Sequence, residues 1–148
     1  PESLSVQPLS LNVLSGKEKN RPRVLVVEDN ESNMKFTSDL LELGGYTAIH
    51  AFSAEEAMKK AEAENPTLIL MDISLPGLDG LEATQMLKRN SLTSHIPVIV
   101  LTAHAMKDDE KRAAQAGCDA YLLKPINTQI FYHTITSLIN SGEQITIS

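Results

Sequence analysis

Five side chains able to handle phosphate or a metal ion stand at the ends of four short apolar runs. Glu28 and Asp29 follow Val24-Leu25-Val26-Val27, and Asp72 follows Leu68-Ile69-Leu70-Met71. Thr102 follows Val98-Ile99-Val100-Leu101, and Lys124 follows Ala120-Tyr121-Leu122-Leu123. Apolar runs of this length, bounded by turn residues, read as strands buried on both faces, the pattern of a parallel sheet. In such a sheet every carboxyl end lies on one edge, where open α/β sheets bind their ligands. Residues far apart in the chain therefore converge in one shallow pocket. An acid after Leu-Ile-Leu-Met is costly to bury, so Asp72 is expected at the exposed carboxyl end of its strand.

The charges dictate the chemistry. Two carboxylates about 4 Å apart repel by roughly 4 kcal/mol at an effective dielectric near 20. A hard divalent cation removes that repulsion, and Mg²⁺ suits a site with few carboxylates and several retained waters. Lys124 and Thr102 add donors aimed near Asp72, which makes a receptacle for a phosphoryl group. Asp72 is the natural acceptor, because a carboxylate can attack phosphorus to form an acyl phosphate. Taken singly, Asp29 reads as a helix cap, Thr102 as a strand former and Lys124 as a solvated loop charge. Gathered at four strand ends, they favour a site. Tyr121, three residues before Lys124, fits a core role as well as a functional one on spacing alone. The four His lack a metal-ligand spacing, and Cys118 has no evident partner, so neither takes a site role.

The elements that must position these residues follow from periodicity and punctuation. Residues 1–20 read as a flexible leader, with a strand or docking segment as the alternative, since Leu4, Val6, Leu9, Leu11 and Val13 mostly alternate. Asn30 or Asp29 can cap a helix from Glu31 to about Leu43, with Phe36, Leu40 and Leu43 on one apolar face. Gly44-Gly45 stops it. Tyr46 to Phe52 reads as a weakly polar edge strand. Ser53 and Glu56 form a capping box for a helix from Ala54 to about Glu64, ended by Asn65-Pro66. After the Pro76-Gly77 loop, Asp79 is expected to cap a helix from Gly80 to about Arg89. A polar helix from Lys107 to Ala116 ends at Gly117. The last helix, from Asn127 or Thr128 to about Asn140, carries Ile130, Phe131, Ile135, Leu138 and Ile139 as its apolar face. Residues 141–148 are expected to fray, and 21–140 form the globular domain. Five strands alternating with five helices over short links give an α/β parallel sheet with right-handed crossovers.

Composition agrees and excludes some classes. A chain of 148 residues is one domain, and 42% hydrophobic with 22% charged residues is the composition of a globular protein. A net charge of −6 argues against a duplex-coating nucleic-acid binder. No apolar run approaches the ~20 residues that span a bilayer, and no basic-then-apolar signal pattern opens the chain. A single cysteine excludes an internal disulfide and fits a reducing, cytoplasmic setting. Beginning at Pro1 rather than Met, the chain reads as a processed or excised piece.

Val-Leu-Val-Val-Glu28-Asp29-Asn30, Leu-Met-Asp72-Ile-Ser-Leu-Pro76-Gly77-Leu-Asp-Gly80, Val-Leu-Thr102-Ala103 and Ala-Tyr121-Leu-Leu-Lys124-Pro125 together resemble the receiver domains of two-component response regulators. The likeness spans about residues 22–140. Glu-Asp-Asn-Glu-x-Asn-Met and Thr-Ala-x-Ala-Met-Lys look most like the single-domain regulators of the cell-division type. The resemblance implies a flavodoxin-like (βα)5 doubly wound sheet of strand order 2-1-3-4-5. It implies that Asp72 takes a phosphoryl group from the phosphohistidine of a sensor kinase or histidine phosphotransfer protein. It implies Mg²⁺ on Asp29, Asp72 and the Ser74 carbonyl, with Glu28 acting directly or through water. Lys124 and Thr102 would hold phosphoryl oxygens, and Ala103 would leave room for them. Tyr121 would change rotamer with Thr102 and carry the state to the face of the fourth helix, last strand and last helix. A cis Lys124-Pro125 bond is expected. Ser74 and His104, two residues after Asp72 and Thr102, are expected to flank the hydrolytic water and set the phosphoryl lifetime. Such a domain is a signalling phosphoacceptor rather than an enzyme.

Three rivals fit less well. A haloacid-dehalogenase-type phosphatase wants a second acid where Ser74 stands, and a longer chain. A receiver that is not phosphorylated usually lacks an acid, the Thr or the Lys. A flavodoxin-type nucleotide binder needs a Gly- or Ser/Thr-rich phosphate loop after the first strand.

Overall fold

The apolar runs become strands because both of their faces are covered. The computed structural model describes residues 21–73, 78–103 and 107–147. Strands β1 (Arg23–Val27), β2 (Thr47–Ala51), β3 (Leu68–Ile73), β4 (Val98–Thr102) and β5 (Ala120–Leu123) alternate with five helices. These are α1 (Glu31–Leu43), α2 (Ala54–Glu64), α3 (Leu78–Arg89), α4 (Lys107–Ala116) and α5 (Thr128–Ile147). The strands are parallel in the order β2-β1-β3-β4-β5, the flavodoxin-like arrangement.

Side-chain alternation divides the core in two. Leu25, Ile69, Met71, Val98 and Val100 face Ala57, Ala61, Ala83, Leu87 and Ala113 of α2, α3 and α4. Val24, Val26, Leu68, Leu70 and Ile99 face Met34, Leu41, Phe131 and Ile135 of α1 and α5. Each fully buried aliphatic side chain contributes about 1.5–3 kcal/mol. This two-sided burial holds the central strand ends in fixed register, with Asp72 beside Leu101 and Ile73 beside Thr102.

Caps fix where helices begin. Asn30, not Asp29, caps α1, its Oδ1 accepting from the Asn33 amide at 2.9 Å. Ser53 Oγ accepts from the Glu56 amide at 3.1 Å, and Glu56 reaches back to the Phe52 amide at 2.7 Å. Asn127 Oδ1 accepts from the Ile130 amide at 3.1 Å and opens α5. Gly45 turns out of α1 at φ 94°, a conformation open to glycine at little cost.

Four expectations need correction. The buried face of α1 carries Met34, Thr37, Ser38 and Leu41, whereas Phe36 and Leu43 are exposed. Two apolar stripes share the helical period here, and the one holding Met34 and Leu41 faces the sheet. On α5, Ile130 is likewise exposed while Phe131 and Ile135 are buried. Helix α3 starts at Leu78, so Asp79 lies inside its first turn rather than capping it. Helix α5 continues to Ile147, past the expected stop near Asn140, because nothing in Ser141-Gly142-Glu143-Gln144 forbids helical backbone. The leader, residues 1–20, lies outside the described residues.

Candidate phosphoryl-accepting site

The carboxyl edge of the sheet gathers the predicted residues. The ladder carries on past the strands at two points: the Glu28 amide donates to the Ala51 carbonyl at 3.0 Å, and the Lys124 amide donates to the Thr102 carbonyl at 2.8 Å. Glu28 is thereby tied to β2 and Lys124 to β4. Lys124 Nζ lies 2.8 Å from Asp72 Oδ2 and 3.8 Å from Glu28 Oε1. The Lys124–Pro125 peptide is cis.

Burial differs from the simplest reading of the sequence. Asp72 is the penultimate residue of β3 and its side chain is only 3% exposed, so the strand end does not lift it into solvent. The Glu28 side chain is fully buried. Lys124 offsets the charge on Asp72, its stem covered and its ammonium reaching the acids. Thr102 is buried at the end of β4, Asp29 and Ala103 are exposed, and Tyr121 is half-buried against the α2–α4 core. Ser74 and His104 lie outside the described residues.

The electrostatics follow from this crowding. Burial pushes the Glu28 carboxyl up to about 8, and the neighbouring Asp72 carboxylate pushes the same way. A bond from the Asn30 amide to Glu28 Oε2, at 2.9 Å, opposes the rise without cancelling it. With one cation for two buried acids, Glu28 tends to hold a proton.

Two buried oxygens, Glu28 Oε1 and Asp72 Oδ1, accept no hydrogen bond from the described residues. Such orphans are rare in native interiors. Both belong to carboxylates, the hard donors that Mg²⁺ prefers, so the residues present fit that cation. Among the described residues no three His, Cys, Asp or Glu side chains form a ready metal cage. A cation there would keep several of its waters, as Mg²⁺ usually does.

The sequence model of the response regulator receiver domain matches residues 24–136. The chain belongs to that family. Receiver domains are the phosphoacceptors of two-component signalling, exchanging phosphoryl groups with histidine kinases or phosphotransfer partners. Over 119 residues the chain is 51% identical to the polar-differentiation response regulator DivK of Brucella ovis, which covers 80% of this chain and 97% of that relative. The DivK of Brucella anthropi is 50% identical over the same length. A receiver domain protein from Methanospirillum hungatei superposes with a TM-score of 0.76 at 30% identity, covering 84% of this chain and 98% of that one. The receiver domain of a Pseudomonas aeruginosa sensor histidine kinase, with a magnesium ion coordinated in its active-site cleft, gives 0.74 at 32% identity, covering 81% and 98%. Among the described residues of this receiver domain, no helix is long and apolar enough to cross a membrane.

Asn30 is the site residue that the sequence reading missed. Its type and place mark it as a helix cap, yet its amide also holds Glu28. The acid-Asp-Asn order before a helix is the available signal: a cap residue two positions after an acid places its amide within reach of that carboxylate.

Proposed function

We propose that Asp72 is the phosphoacceptor of this receiver domain. The observation that carries this is the state of its carboxylate: buried at the end of β3, one oxygen 2.8 Å from Lys124 Nζ, the other accepting no hydrogen bond from the described residues. An Asp72 oxygen attacks the phosphorus of a partner's phosphohistidine. The P–N bond breaks as the P–O bond forms, and the departing imidazole keeps the electron pair and takes up a proton. Glu28, Asp29, Asp72 and the Ser74 carbonyl would hold Mg²⁺, which would supply positive charge against the incoming phosphoryl oxygens.

Phosphorylation then replaces one carboxylate charge with about −1.5 to −2 and adds three strong acceptor oxygens. Lys124 transfers its bond from Asp72 to one of them, and the Thr102 hydroxyl turns to another. Tyr121, two strand positions before the Thr102 neighbour Leu123, follows and repacks the face formed by α4, β5 and α5. This is a population shift between two arrangements of the same loops. Leu123 and Ile130, exposed on β5 and α5, support that face as the surface a downstream protein meets. The leader 1–20 precedes the receiver, whose last helix runs on to Ile147. The domain signals rather than turning over a substrate, and a cytoplasmic location fits its single thiol. Ser74 and His104 set the phosphoryl lifetime; an unchanged dephosphorylation rate after exchanging both would refute that role.

A phosphohistidine donor tests the central role directly. Transfer from a labelled histidine phosphotransfer protein should move label to this chain and stop with Asp72→Asn. Label that still transfers to Asp72→Asn would move the acceptor elsewhere.

A further inference from the structure

The loop from β1 to α1 carries a second device besides its acids. Asn30 makes three bonds there. Its amide donates to Glu28 Oε2 at 2.9 Å, its Oδ1 accepts from the Asn33 amide at 2.9 Å, and its carbonyl accepts from the Met34 amide at 2.9 Å. Its backbone is extended, at φ −95° and ψ 124°, as an N-cap requires. The side chain and the carbonyl are therefore anchored to the first turn of α1. The amide, fixed by that anchor, points back into the acidic cluster.

This division of labour selects which carboxylate oxygens stay available. Glu28 Oε2 is taken by the Asn30 amide and Asp72 Oδ2 by Lys124. The oxygens left over are Glu28 Oε1 and Asp72 Oδ1, both buried and neither hydrogen-bonded by a described residue, with Lys124 Nζ 3.8 Å from Glu28 Oε1. We propose that Asn30 is a positioning residue for the cation site, holding Glu28 through one oxygen so that the other is presented beside Asp72. The inference rests on the metal reading above, and concerns how tightly the cation binds rather than which residue is phosphorylated.

Asn30 is exposed, and its side-chain oxygen accepts from the Asn33 amide of α1. Its loss acts through backbone geometry: an unanchored cap residue samples other φ and ψ values, and its amide no longer holds Glu28. Outer partners of ligating carboxylates commonly matter by about tenfold or more in metal affinity. An ordinary N-cap would matter only for helix stability.

Four variants and the unsubstituted chain, measured by isothermal titration with MgCl₂, separate these roles. Asn30→Ala should raise the Mg²⁺ dissociation constant by about tenfold, and Asn30→Ser, which keeps a capping hydroxyl, should stay within about twofold of the unsubstituted chain. Asn30→Gly keeps helix stability, since Gly caps at a cost of a few tenths of a kcal/mol, yet frees the backbone. It should weaken Mg²⁺ as Asn30→Ala does. Ser53→Ala removes the equivalent cap of α2, whose Oγ accepts from the Glu56 amide at 3.1 Å, and should leave Mg²⁺ affinity unchanged. Equal affinity in the Asn30→Ala and Asn30→Gly proteins and the unsubstituted chain would overturn the proposal. So would an equal loss in Ser53→Ala. If the unsubstituted chain itself bound no Mg²⁺, the metal reading would fall first and this proposal with it.

Discussion

The Lys124 ammonium lies 2.8 Å from Asp72 Oδ2 and 3.8 Å from Glu28 Oε1, so one cation from the end of β5 serves two acids from β1 and β3. A divalent cation would draw on the same two carboxylates, so Lys124 and Mg²⁺ compete electrostatically. Replacing Lys124 by Met should therefore tighten Mg²⁺ binding several-fold, since like charges a few ångströms apart repel by kilocalories even at a high effective dielectric. It should also abolish the phosphorylation-dependent change around Tyr121, because no ammonium remains to take the phosphoryl oxygen. Calorimetric titration checks the first effect and Tyr121 spectroscopy with a phosphodonor the second. Weaker Mg²⁺ binding in Lys124→Met would contradict this view.

The buried Glu28 predicts an unusual pH response. Its carboxyl sits near 8 in the folded chain against an ordinary value of 4.5, because burial and the neighbouring Asp72 disfavour its charge. Between these values the folded state holds a proton that the unfolded state has released. Its contribution to stability is complete below about 4.5 and is lost as pH rises through about 8. Metal-free protein should therefore lose a few kcal/mol between pH 5 and 9 from this group, the range set by its two values. Glu28→Gln should flatten that slope in urea unfolding. Mg²⁺, competing with the proton, should stabilise more at pH 8 than at pH 6.

How much of this was legible in the sequence depends on the kind of signal. Strand ends were legible because apolar runs such as Val98-Ile99-Val100-Leu101 stop abruptly at a polar residue, and parallel pairing then dictates convergence. Lys124 lies beside Asp72 and Glu28, and Thr102 pairs with Ile73 on the same edge. Helix faces were harder to read. Phe36 and Leu43 have the right period but the wrong phase, and only the packing of Met34 and Leu41 on the sheet settles which stripe is buried. The depth of Asp72 could not be read either. Its burial depends on Lys124, which arrives from the other end of the chain. Backbone contacts such as that of Asn30 with Glu28 leave no mark on residue type, so they emerge only from coordinates.

At the far end of the sheet from the acids, Asp119 Oδ2 accepts from the Val98 amide at 2.8 Å and from Lys88 Nζ at 2.9 Å. Lys88 Nζ also donates to the Ile96 carbonyl at 2.8 Å. The network ties the end of α3 to the starts of β4 and β5. Asp119→Ala should destabilise the fold by about 2 kcal/mol, since it leaves the Val98 amide unpaired and takes the carboxylate away from the Lys88 ammonium. Mg²⁺ affinity should not change. Chemical unfolding and Mg²⁺ titration on one preparation check both halves.

Helices α1 and α5 meet through Tyr132, whose hydroxyl donates to the Leu40 carbonyl at 2.6 Å. A Cβ on Gly44 would lie 2.6 Å from Tyr132 Cε1. Gly44→Ala should cost about 1–3 kcal/mol as the ring is displaced and its bond strained. Introducing Tyr132→Leu first should remove most of that penalty. A double-mutant cycle by urea unfolding measures the coupling, and strict additivity would show that the ring is not the obstacle.

The most direct measurement of the central claim is intact mass after incubation with Mg²⁺ and a small phosphodonor such as acetyl phosphate. The unsubstituted chain should gain a single phosphoryl group, lost on removing Mg²⁺ with a chelator before the donor is added, and Asp72→Asn should gain none. A phosphoryl group that still appears on Asp72→Asn, or none on the unsubstituted chain, would contradict the assignment of Asp72.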